Sequence, residues 1–518
     1  MLTHITAAKC LGIQAVEVLV EVGIERGIGI HLVGLADAAV KESLLRTATA
    51  LESLGYHIPG KKIIINLAPA DLRKNGSGYD LPIAIGIISA SGQRNLPLAS
   101  KFIIMGELGL DGSLRAIPGA LPYAQLAIEK GYEGIILPLD SALEAADCRD
   151  TAVFGVRNLA EVVKILEGKE DGSEYLVWNT EDYNSLKEKR DGLLVEETVD
   201  LRDIVGQQGA KRGLEIAAAG GHNLIMIGAP GSGKSSLAKA LSGILPPMSP
   251  EESLTTSKVY SVLGRNTREC GLMKRRPFRS PHYSISIAAM IGGGSGDNIV
   301  PGEVSLATGG VLFLDEMGQM PRSVIEALRG PIEDRKVCVC RLKSKVEYPS
   351  SFMLVAASNP CPCGYWGVDD RCSCTPSQRM SYLGKLSGPM MDRIDIQLTV
   401  RPVPPEAVAS GAKAESSREV AERVTRAREI QQKRFAQENI STNAEMNNKL
   451  IEKYCPLSRE CRDTMGKIME KMQLSLRAYF RIIKLARTIA DLEGSIDIKE
   501  RHLVEAAGFR ILDREKIL

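Results

Sequence analysis

One glycine-rich segment constrains the fold of this chain more than any other. The letters GAPGSGKS, from Gly228 to Ser235, fit the pattern G-x-x-x-x-G-K-[ST]. The apolar run NLIMI before them is typical of a strand, and KSSLAKALSGIL from Lys234 is typical of a helix. A loop of this kind turns its backbone N–H groups toward phosphate oxygens, and the positive end of the helix dipole adds to the attraction. The segment therefore predicts a nucleoside triphosphate site in a parallel three-layer α/β core.

Side chains in and near this loop have predicted chemical roles. The Lys234 ammonium can reach the β and γ phosphates, and the Ser235 hydroxyl can hold Mg²⁺. The run GGVLFLDE ends a second strand with Asp315, which suits Mg²⁺ coordination, and Glu316, which can activate the attacking water. The residues predicted to contact the nucleotide are Gly228, Pro230, Gly231, Ser232, Gly233, Lys234, Ser235, Ser236 and Asp315.

Two further polar residues have a functional and a plain interpretation. Asn359 ends the apolar run FMLVAASNP, where its amide can contact the attacking water or the γ-phosphate, and a simple turn residue is the alternative. Arg393, in GPMMDRIDI, either completes the site of a neighbouring subunit or forms a surface ion pair with the adjacent aspartates.

Composition restricts the setting in which such a site works. The chain has 518 residues, which predicts two to four domains. With 65 basic and 63 acidic residues the net charge is +2, so any nucleic-acid partner must be recognised through local basic clusters. The sequence shows no signal peptide and no run of about 18 apolar residues, so we expect no membrane association. Eleven cysteines, an odd number, favour a reducing cytoplasm over a secreted disulfide framework.

Changes in pattern along the chain predict its division into domains. Residues 1–168 alternate short β runs with helical patterns and form a first α/β or α+β domain, in which Asp111-Gly112 is a predicted hairpin turn. Residues 169–200, which are polar and charged, and residues 401–417, which are rich in Pro, Ala and Ser, are predicted linkers. Between them lies the predicted nucleotide domain, residues 201–400. Residues 418–518 are predicted to form a separate helical domain.

Four cysteines follow Asn359 closely. Two C-x-C pairs separated by eight residues contain Cys361, Cys363, Cys372 and Cys374. Thiolates at this density in a cytosolic chain can close a tetrahedral Cys₄ zinc site. The alternative is four reduced cysteines in a loop. A zinc site here would be structural and would anchor the strand that ends at Asn359.

These motifs together carry a family resemblance. The block from about Leu201 to Val400 resembles the magnesium-chelatase-like branch of the AAA+ ATPases through DIVGQQGAKRGLEIAAAGGHNL, RPFRSPHYSIS, LFLDEM, ASNPCPCG and GPMMDRIDI. With the N-terminal domain and LSLRAYFRIIKLARTIADL, the whole chain resembles the bacterial ComM/YifB family. The resemblance assigns Lys234 and Ser235 to Walker A. It assigns Asp315 and Glu316 to Walker B, and it makes the amide at position 359 sensor 1.

The resemblance also implies an assembly and an activity. Arg393 is similar to an arginine finger and Arg477 to sensor 2, while Arg481, one turn away on the same helix face, is the alternative for sensor 2. The implied architecture is multidomain α/β: a Lon-like α+β N-terminal domain, an AAA+ P-loop core and a C-terminal helical lid. The implied protein is a homo-hexameric ring that uses ATP and Mg²⁺ to drive branch migration of recombination intermediates on DNA, as in natural transformation.

The first domain resembles the Lon-type protease fold, which also occurs as a non-proteolytic DNA-binding module on a recombination protein. The segment GSGYDLPIAIGI is similar to the turn that carries Lon's catalytic serine, and the serine position falls at Gly78. The segment SLRAIPGALPY is similar to the one with Lon's lysine, which falls at Leu121. A Ser–Lys dyad needs both groups within hydrogen-bond reach, so we expect a scaffold or DNA-contacting domain. A shifted register that pairs Ser77 with Lys74 is the alternative.

Two basic clusters are predicted to bind DNA phosphates. Between Lys258 and Ser286 there are seven basic residues and one acidic residue, and the family resemblance makes this segment a loop insertion facing the pore of the ring. The second cluster lies on a hairpin-like run before the strand that ends at Asn359. The alternative for either cluster is a solvated basic face or a subunit interface. The residues predicted to contact DNA are Lys274, Arg275, Arg276, Arg279, Lys336, Arg341, Lys343 and Lys345.

Three functions are consistent with these motifs. The first is the DNA motor, the second is a chelatase subunit that uses ATP to insert Mg²⁺ into a porphyrin, and the third is an ATP-dependent protease. The Lon-like domain favours the motor over the chelatase subunit, because chelatase ATPase subunits lack such a domain. Gly78 and Leu121 oppose the protease, because neither can act as a nucleophile or a base.

Overall fold

The chain folds into three regions that differ in secondary structure. The structure, a computed structural model, describes residues 2–35, 37–169, 171–192, 199–265, 270–295, 298–341, 344–367, 371–386, 388–403 and 415–510. A mixed sheet with helices is followed by a parallel sheet with helices and then by a helical region. Within these residues no helix combines the length and the apolar character needed to cross a membrane.

The first region is a seven-stranded sheet with helices. Its strands are β1 (Leu2–Leu11), β2 (Gln14–Glu25), β3 (Gly29–Val33), β4 (Lys62–Ala68), β5 (Phe102–Ile104), β6 (Glu107–Leu108), β7 (Leu114–Arg115), β8 (Gly134–Pro138) and β9 (Ala152–Val156). Its helices are α1 (Ala38–Ser53), α2 (Asp80–Ala90), α3 (Ala120–Lys130), α4 (Leu139–Glu144), α5 (Leu159–Glu167) and α6 (Glu181–Gly192). The order is β3-β4-β2-β1-β5-β8-β9, antiparallel at β1–β2 and β2–β4 and otherwise parallel. Strands β6 and β7 form a separate hairpin, which confirms the turn predicted at Asp111-Gly112.

Helix α2 lies in the core of this region. Its sequence DLPIAIGIISA is apolar on every side, and all of its residues except Ser89 are buried. A helix without a polar face must be covered all round. Gly86 permits the closest approach, because a Cβ there would lie 2.5 Å from Cγ2 of Val22 on β2. The buried Asp80 is paired with Arg46 of α1, with 2.9 Å between Nε and Oδ2.

The linker predicted over residues 169–200 is wrong for much of its length. Helix α6 and two short 3₁₀ turns occupy most of residues 173–192. Val177 and Tyr183 are buried in the core of the first region. The Arg149 guanidinium lies 4.7 Å from the ring centre of Trp178. The polar composition of the segment concealed these few apolar anchors, which attach it to the first region.

The two positions predicted to match a protease dyad carry no reactive pair. Gly78 lies against apolar side chains and Leu121 is fully buried. The Ser77 hydroxyl donates to the Glu107 carboxylate, while the Lys74 ammonium donates to a backbone carbonyl. The alternative dyad of Ser77 with Lys74 is therefore wrong, because the two side chains bond to different partners.

The second region is built on a five-stranded sheet, and every neighbouring pair in it is parallel. Its strands are β10 (Leu224–Ile227), β11 (Phe278–Arg279), β12 (Gly292–Ser295), β13 (Asn298–Pro301), β14 (Val311–Leu314), β15 (Lys336–Arg341), β16 (Ser344–Pro349), β17 (Met353–Ser358) and β18 (Ile396–Thr399). Its helices are α7 (Gln208–Gly220), α8 (Lys234–Ser242), α9 (Pro250–Ser261), α10 (Ile287–Ile291), α11 (Glu303–Leu306), α12 (Arg322–Ala327), α13 (Arg329–Asp334), α14 (Pro376–Leu383) and α15 (Gly388–Met391). The order is β11-β14-β17-β10-β18, and β12–β13 and β15–β16 are hairpins outside it. The predicted parallel α/β core is confirmed.

The central strands are buried on both faces. In β10, Leu224 and Met226 pack into the core that holds Leu214 of α7, while Ile225 and Ile227 pack into a second core on the other face. Strands β14 and β17 alternate in the same way. Parallel sheets need this double cover, which explains why their strands are continuous apolar runs in the sequence.

The helical region packs on the α7 side of the sheet. Its helices are α16 (Ser417–Arg434), α17 (Asn448–Tyr454), α18 (Arg459–Met472), α19 (Leu476–Leu492) and α20 (Glu500–Gly508). The backbone N–H of Ser417 donates to Asp200 Oδ1 at 2.9 Å, and the N–H of Leu201 donates to Ser417 Oγ at 2.8 Å. The residues at two predicted domain boundaries therefore bond to each other. Residues 404–414, most of the second predicted linker, lie outside the described residues.

The first region docks on the end of α9 through a buried carboxyl group. The Gly119 N–H donates to the Ser261 carbonyl at 3.0 Å, and the Ser261 hydroxyl donates to Glu144 Oε2 at 2.8 Å. Cys270, beyond α9 in the chain, is buried in the core of the first region. Among the described residues, Oε1 of Glu144 is buried without a hydrogen-bond partner. Burial therefore raises the pKa of Glu144 to about 8, although the bond from Ser261 acts in the opposite direction.

We predict that Glu144 makes stability fall as the pH rises. The pKa of Glu144 is about 8 in the folded protein, above its ordinary value of 4.5, so protonation stabilises the folded state most fully below pH 4.5. This contribution to stability is lost as the pH rises from 4.5 to about 8. The loss amounts to at most about 1.4 kcal/mol per pH unit. Glu144→Gln should remove this slope in urea unfolding measured between pH 5 and 8. The exposed control Glu174→Gln should keep it, and equal slopes for all three proteins would contradict the assignment.

Candidate nucleotide-binding site

The predicted phosphate loop lies between a strand and a helix, as its motif requires. Strand β10 leads into it, and α8 begins at Lys234. Gly231 and Gly233 have φ angles of +74° and +92°, a region that residues with a Cβ rarely adopt. The N–H of Gly228 donates to the carbonyl of Ser358 at 3.2 Å, which ties the loop to the end of β17. The predicted nucleotide-contacting residues between 228 and 236 thus lie together at the carboxyl edge of the sheet.

The ends of three neighbouring strands bring the other predicted groups to this loop. The Ser235 hydroxyl donates to Asp315 Oδ2 at 2.9 Å, and the Lys234 ammonium donates to Asn359 Oδ1 at 3.3 Å. Burial lowers the pKa of Lys234, and the nearby charges of Asp315 and Glu316 oppose this shift. Two carboxylates, a hydroxyl, an amide and an ammonium group therefore share one edge. This is the arrangement that the sequence predicts for binding and hydrolysing a triphosphate.

Glu316 adopts a backbone conformation that no sequence pattern predicted. Its φ angle is +50°, which is uncommon for a residue other than glycine. Its N–H donates to Asp315 Oδ1 at 2.9 Å. Residues held in such conformations cluster at functional sites, where the surrounding structure fixes them. The turn after β14 thereby fixes the backbone position from which the Glu316 side chain extends.

Gln207 belongs to the site and was not predicted. It precedes α7 and has a φ angle of +55°. Its side-chain amide donates to the carbonyl of Ser232 at 3.3 Å and to that of Arg401 at 2.6 Å. It therefore joins the phosphate loop to the end of β18. Its position in DIVGQQ was the only sequence signal, and that phrase supported the family resemblance without assigning a role.

Arg393 lies at the opposite edge of the same sheet. Its carbonyl accepts from the side chain of Asn223, directly before β10, at 3.2 Å. Its guanidinium pairs with Glu333 at 2.5 Å and is only 11% exposed, and its buried Nε has no partner among the described residues. The five residue-to-residue steps from Asn223 to Gly228 span about 16 Å when extended. Arg393 is therefore separated from Lys234 by the length of the strand.

Arg477 lies beside Arg393 and away from the phosphate loop. Both line a cavity of about 350 Å³. Arg477 pairs with Asp392 at 3.2 Å and stays 72% exposed, whereas Arg481 pairs with the buried Asp395. Burial raises the pKa of Asp395, but the charge of Arg481, the hydrogen bond to His222 and other nearby positive charges together hold this pKa below its usual range. Arg481 thus has a structural partner, which leaves Arg477 as the more accessible of the two sensor 2 candidates.

The structure brings the four predicted zinc ligands together. Their sulfur atoms all lie within 4.8 Å of one another, directly after the strand that ends before Asn359. The ligand atoms belong to Cys361, Cys363, Cys372 and Cys374. A loop of four scattered thiols would not produce this convergence.

Two of the predicted DNA contacts serve the fold instead. Arg276 is 13% exposed and pairs with Glu252 at 2.9 Å, and it also donates to the carbonyl of Gly309 at 2.6 Å. Arg279 forms a two-bond pair with Glu303, at 2.7 and 2.8 Å. The prediction that both arginines bind DNA phosphates is wrong in this structure, because their charges are already matched inside the protein.

Of the other predicted DNA contacts, those with described side chains lie at the surface. Lys274, Arg275 and Lys345 are exposed. Lys336 pairs with Glu347 at 3.1 Å but is 57% exposed. Arg341 ends β15 and its side chain is not among those described, and position 343, a lysine, lies outside the described residues.

Comparisons with known proteins match this chain over nearly its whole length. The family models described as "Magnesium chelatase, subunit ChlI", "Subunit ChlI of Mg-chelatase" and "Magnesium chelatase, subunit ChlI C-terminal" match residues 200–408, 20–141 and 414–510. Uncharacterized protein YifB of Salmonella typhimurium is 42% identical over 517 residues, 99% of this chain and 97% of the relative. Competence protein ComM of Haemophilus influenzae is 42% identical over 507 residues, 97% of this chain and 96% of the relative.

We predict that Arg276 is a stability residue. Arg276→Ala removes one partner of a mostly buried ion pair, which costs about 3 kcal/mol in the free energy of unfolding. Urea unfolding measures this difference. Arg418→Ala is the control, because Arg418 is 89% exposed and its loss should change stability by less than about 0.5 kcal/mol. An Arg276→Ala protein as stable as this control would contradict the structural role.

Proposed function

This chain belongs to the ComM/YifB family of magnesium-chelatase-like proteins, and on that premise we propose that it is an AAA+ ATPase working as a ring-shaped DNA motor. The proposed activity is ATP hydrolysis that drives branch migration of recombination intermediates, as in natural transformation. The observation that carries the proposal is the division of the nucleotide machinery between two opposite edges of one sheet. Only an assembly of several copies can bring those edges together.

The proposed hydrolysis uses groups from three strand ends. Lys234 binds the β and γ phosphates, and Asn359 orients the γ-phosphate or the attacking water. Glu316 accepts the proton of that water as it attacks. The oxygens of Ser235 and Asp315 are 2.9 Å apart and are the hard ligands that Mg²⁺ prefers, so they fit that ion. Mg²⁺ bound there would neutralise phosphate charge during the reaction.

The proposed ring follows from the position of Arg393. A second copy of the chain that places its Arg393 edge against the Lys234 edge supplies the positive charge that stabilises the transition state. Contacts of this head-to-tail kind repeat from copy to copy, and they form a ring when the rotation between copies closes. Arg477 lines the same cavity and belongs to the same proposed contact. A homo-hexamer is the proposed assembly, since the family resemblance implies that number.

We predict that two inactive variants restore activity when mixed. Lys234→Ala removes phosphate contact and Arg393→Ala removes the charge offered to the neighbour, so each alone should lose nearly all ATPase turnover. In randomly mixed rings about a quarter of the interfaces join an intact loop to an intact arginine, so turnover should return to about that fraction.

The control is Arg393→Ala mixed with a Lys234→Ala/Arg393→Ala double variant, which leaves no intact interface and should restore nothing. Phosphate release at increasing protein concentration measures all mixtures. Full activity of Arg393→Ala by itself, or no recovery in the mixture of single variants, would sink the proposed ring.

The proposed DNA partner rests on the exposed basic residues and on a relative. Competence protein ComM carries a name that refers to DNA uptake, and this chain is 42% identical to it. Lys274, Arg275 and Lys345 lie at the surface, on the loop after α9 and on β16. Contacts of lysine and arginine with phosphates give binding that is independent of sequence and weakened by salt. The Lon-like first region is proposed as a scaffold or an additional DNA contact.

We predict that Lys274→Ala/Arg275→Ala/Lys345→Ala weakens DNA binding equally for unrelated sequences. Its salt slope should flatten by about one for each lost phosphate contact. Basal ATPase should survive, while DNA-stimulated ATPase and movement of a four-way junction should fall. Fluorescence anisotropy at several salt concentrations measures binding.

The matched control removes three exposed basic residues of α16 in Arg418→Ala/Arg426→Ala/Lys433→Ala. It changes the net charge by the same amount and should leave the slope and junction movement unchanged. If both triple variants behave alike, the effect is one of overall charge and the assigned contacts are wrong.

A chelatase-type ATPase subunit is the second candidate. The descriptions of all three matching family models favour it. It predicts that no form of DNA stimulates turnover at low salt, and that a porphyrin-binding partner protein does. Stimulation by branched DNA decides for the motor, and its absence together with stimulation by such a partner decides for the chelatase type.

A further inference from the structure

The four-cysteine cluster has the dimensions of a metal site. The sulfur of Cys361 lies 3.3 Å from that of Cys363 and 3.8 Å from that of Cys372, and the last two sulfurs are 3.7 Å apart. All four cysteines are free, and these separations far exceed the ~2.05 Å of a disulfide bond. Four thiolates around one Zn²⁺ at ~2.3 Å lie about 3.8 Å apart in a tetrahedron. The observed spacing therefore fits a single ion at the centre.

We propose that the four cysteines bind one structural Zn²⁺ ion, and that this ion positions the phosphate loop and the residue at position 359. The second half rests on the nucleotide site proposed above. A closed set of four thiolates leaves no open position on the metal, so the site is structural and not catalytic. Soft thiolates select zinc or iron, and an iron–sulfur cluster needs wider thiolate spacing because several irons and sulfides stand between them.

The first link runs from the cluster to the phosphate loop. Gly364 directly follows Cys363, has a φ angle of +86° and donates its N–H to the carbonyl of Cys361 at 3.0 Å. A Cβ at Gly364 would lie 2.7 Å from Cδ of Pro230 in the phosphate loop. The backbone at Gly364 is therefore in close contact with the phosphate loop, which contains Lys234.

The second link runs through the strand and the helix on either side of the cluster. Cys361 follows Asn359 by two residues, and the amide of Asn359 accepts from the Lys234 ammonium. Cys374 is followed at once by Thr375, which caps the start of α14. Tyr382 of α14 is buried, and its ring packs against Gly318 in the turn after Glu316. Residues 361–367 and 371–374 thus join three parts of the proposed nucleotide site.

Two cation–π contacts lie beside the four cysteines. The cations of Arg371 and Arg379 lie 4.3 and 5.1 Å from the ring centres of Tyr365 and Trp366 and order part of the loop. Such cation–π contacts, in which only Arg371 is exposed, are individually weak, so they do not hold four adjacent thiols together without a metal. Loss of the metal would release Gly364 from Pro230. Nucleotide affinity should then fall about tenfold, a loss comparable to that of metal affinity or activity when groups that support metal ligands are removed.

Metal content of the full-length protein tests the first half. Protein purified without chelators should carry about one zinc per chain by plasma mass spectrometry. Cys361→Ser/Cys372→Ser should carry none. The control Cys338→Ser/Cys340→Ser changes two exposed thiols that lie 3.5 Å apart on β15 and should keep its zinc. Wild-type protein without zinc, or zinc retained by Cys361→Ser/Cys372→Ser, would overturn the site.

Nucleotide affinity tests the second half. Wild-type protein is stripped of zinc, freed of the chelator and given back Mg²⁺, and binding of a fluorescent ATP analogue should weaken about tenfold and recover when Zn²⁺ is added. Gly364→Ala keeps all four thiols, so it should retain zinc and a normal circular dichroism spectrum yet bind the analogue more weakly. Unchanged affinity in both tests would overturn the positioning role. Zinc-loaded wild-type protein that binds no ATP analogue would refute the proposed nucleotide site and the positioning role with it, while the metal site would stand.

Discussion

The parallel direction of the five central strands is the constraint on which the rest of this molecule depends. It places the carboxyl ends of β10, β14 and β17 side by side, so the phosphate loop, Asp315-Glu316 and Asn359 meet without further arrangement. The same direction places Asn223 and Arg393 at the other edge. Helices must then cover both faces of the sheet. Helix α7, together with α16 and α19, covers one of these faces. The architecture and the division of the proposed nucleotide site between two edges thus have one cause.

The first region is attached to this core through the start of α3. Leu121 is fully buried, and its N–H donates to the hydroxyl of Ser261 at 3.3 Å. That hydroxyl also donates to Glu144, so one serine joins both regions. The segment that contains the exposed Lys274 and Arg275 lies along α9, because the N–H of Met273 donates to Ser257 Oγ at 2.8 Å. Movement of α9 would therefore act on the first region and on the basic loop together.

The basic residues of this protein have two roles, which the net charge of +2 does not reveal. Arg276 and Arg279 hold Glu252 and Glu303 and stabilise the region around α9 and α11. Arg481 holds the buried Asp395, which in turn bonds to His222 before β10 at 3.2 Å. Basic residues that lack such buried partners among those described, such as Arg477, stay exposed and available for contacts with other molecules.

The sequence alone is enough to predict the parallel α/β core and the residues at its carboxyl edge, because a phosphate loop and a strand ending in Asp-Glu need only local spacing to be recognised. It also determined the hairpin at Asp111-Gly112 for the same reason. The tertiary structure was needed to show that Arg276 and Arg279 form internal ion pairs, since their carboxylate partners lie 24 residues away in the chain. It likewise separated Arg477 from Arg481, which share a helix face but differ in what packs against them. Pairing and burial depend on which distant segments meet, and that information exists only once the sheet and its covering helices have formed.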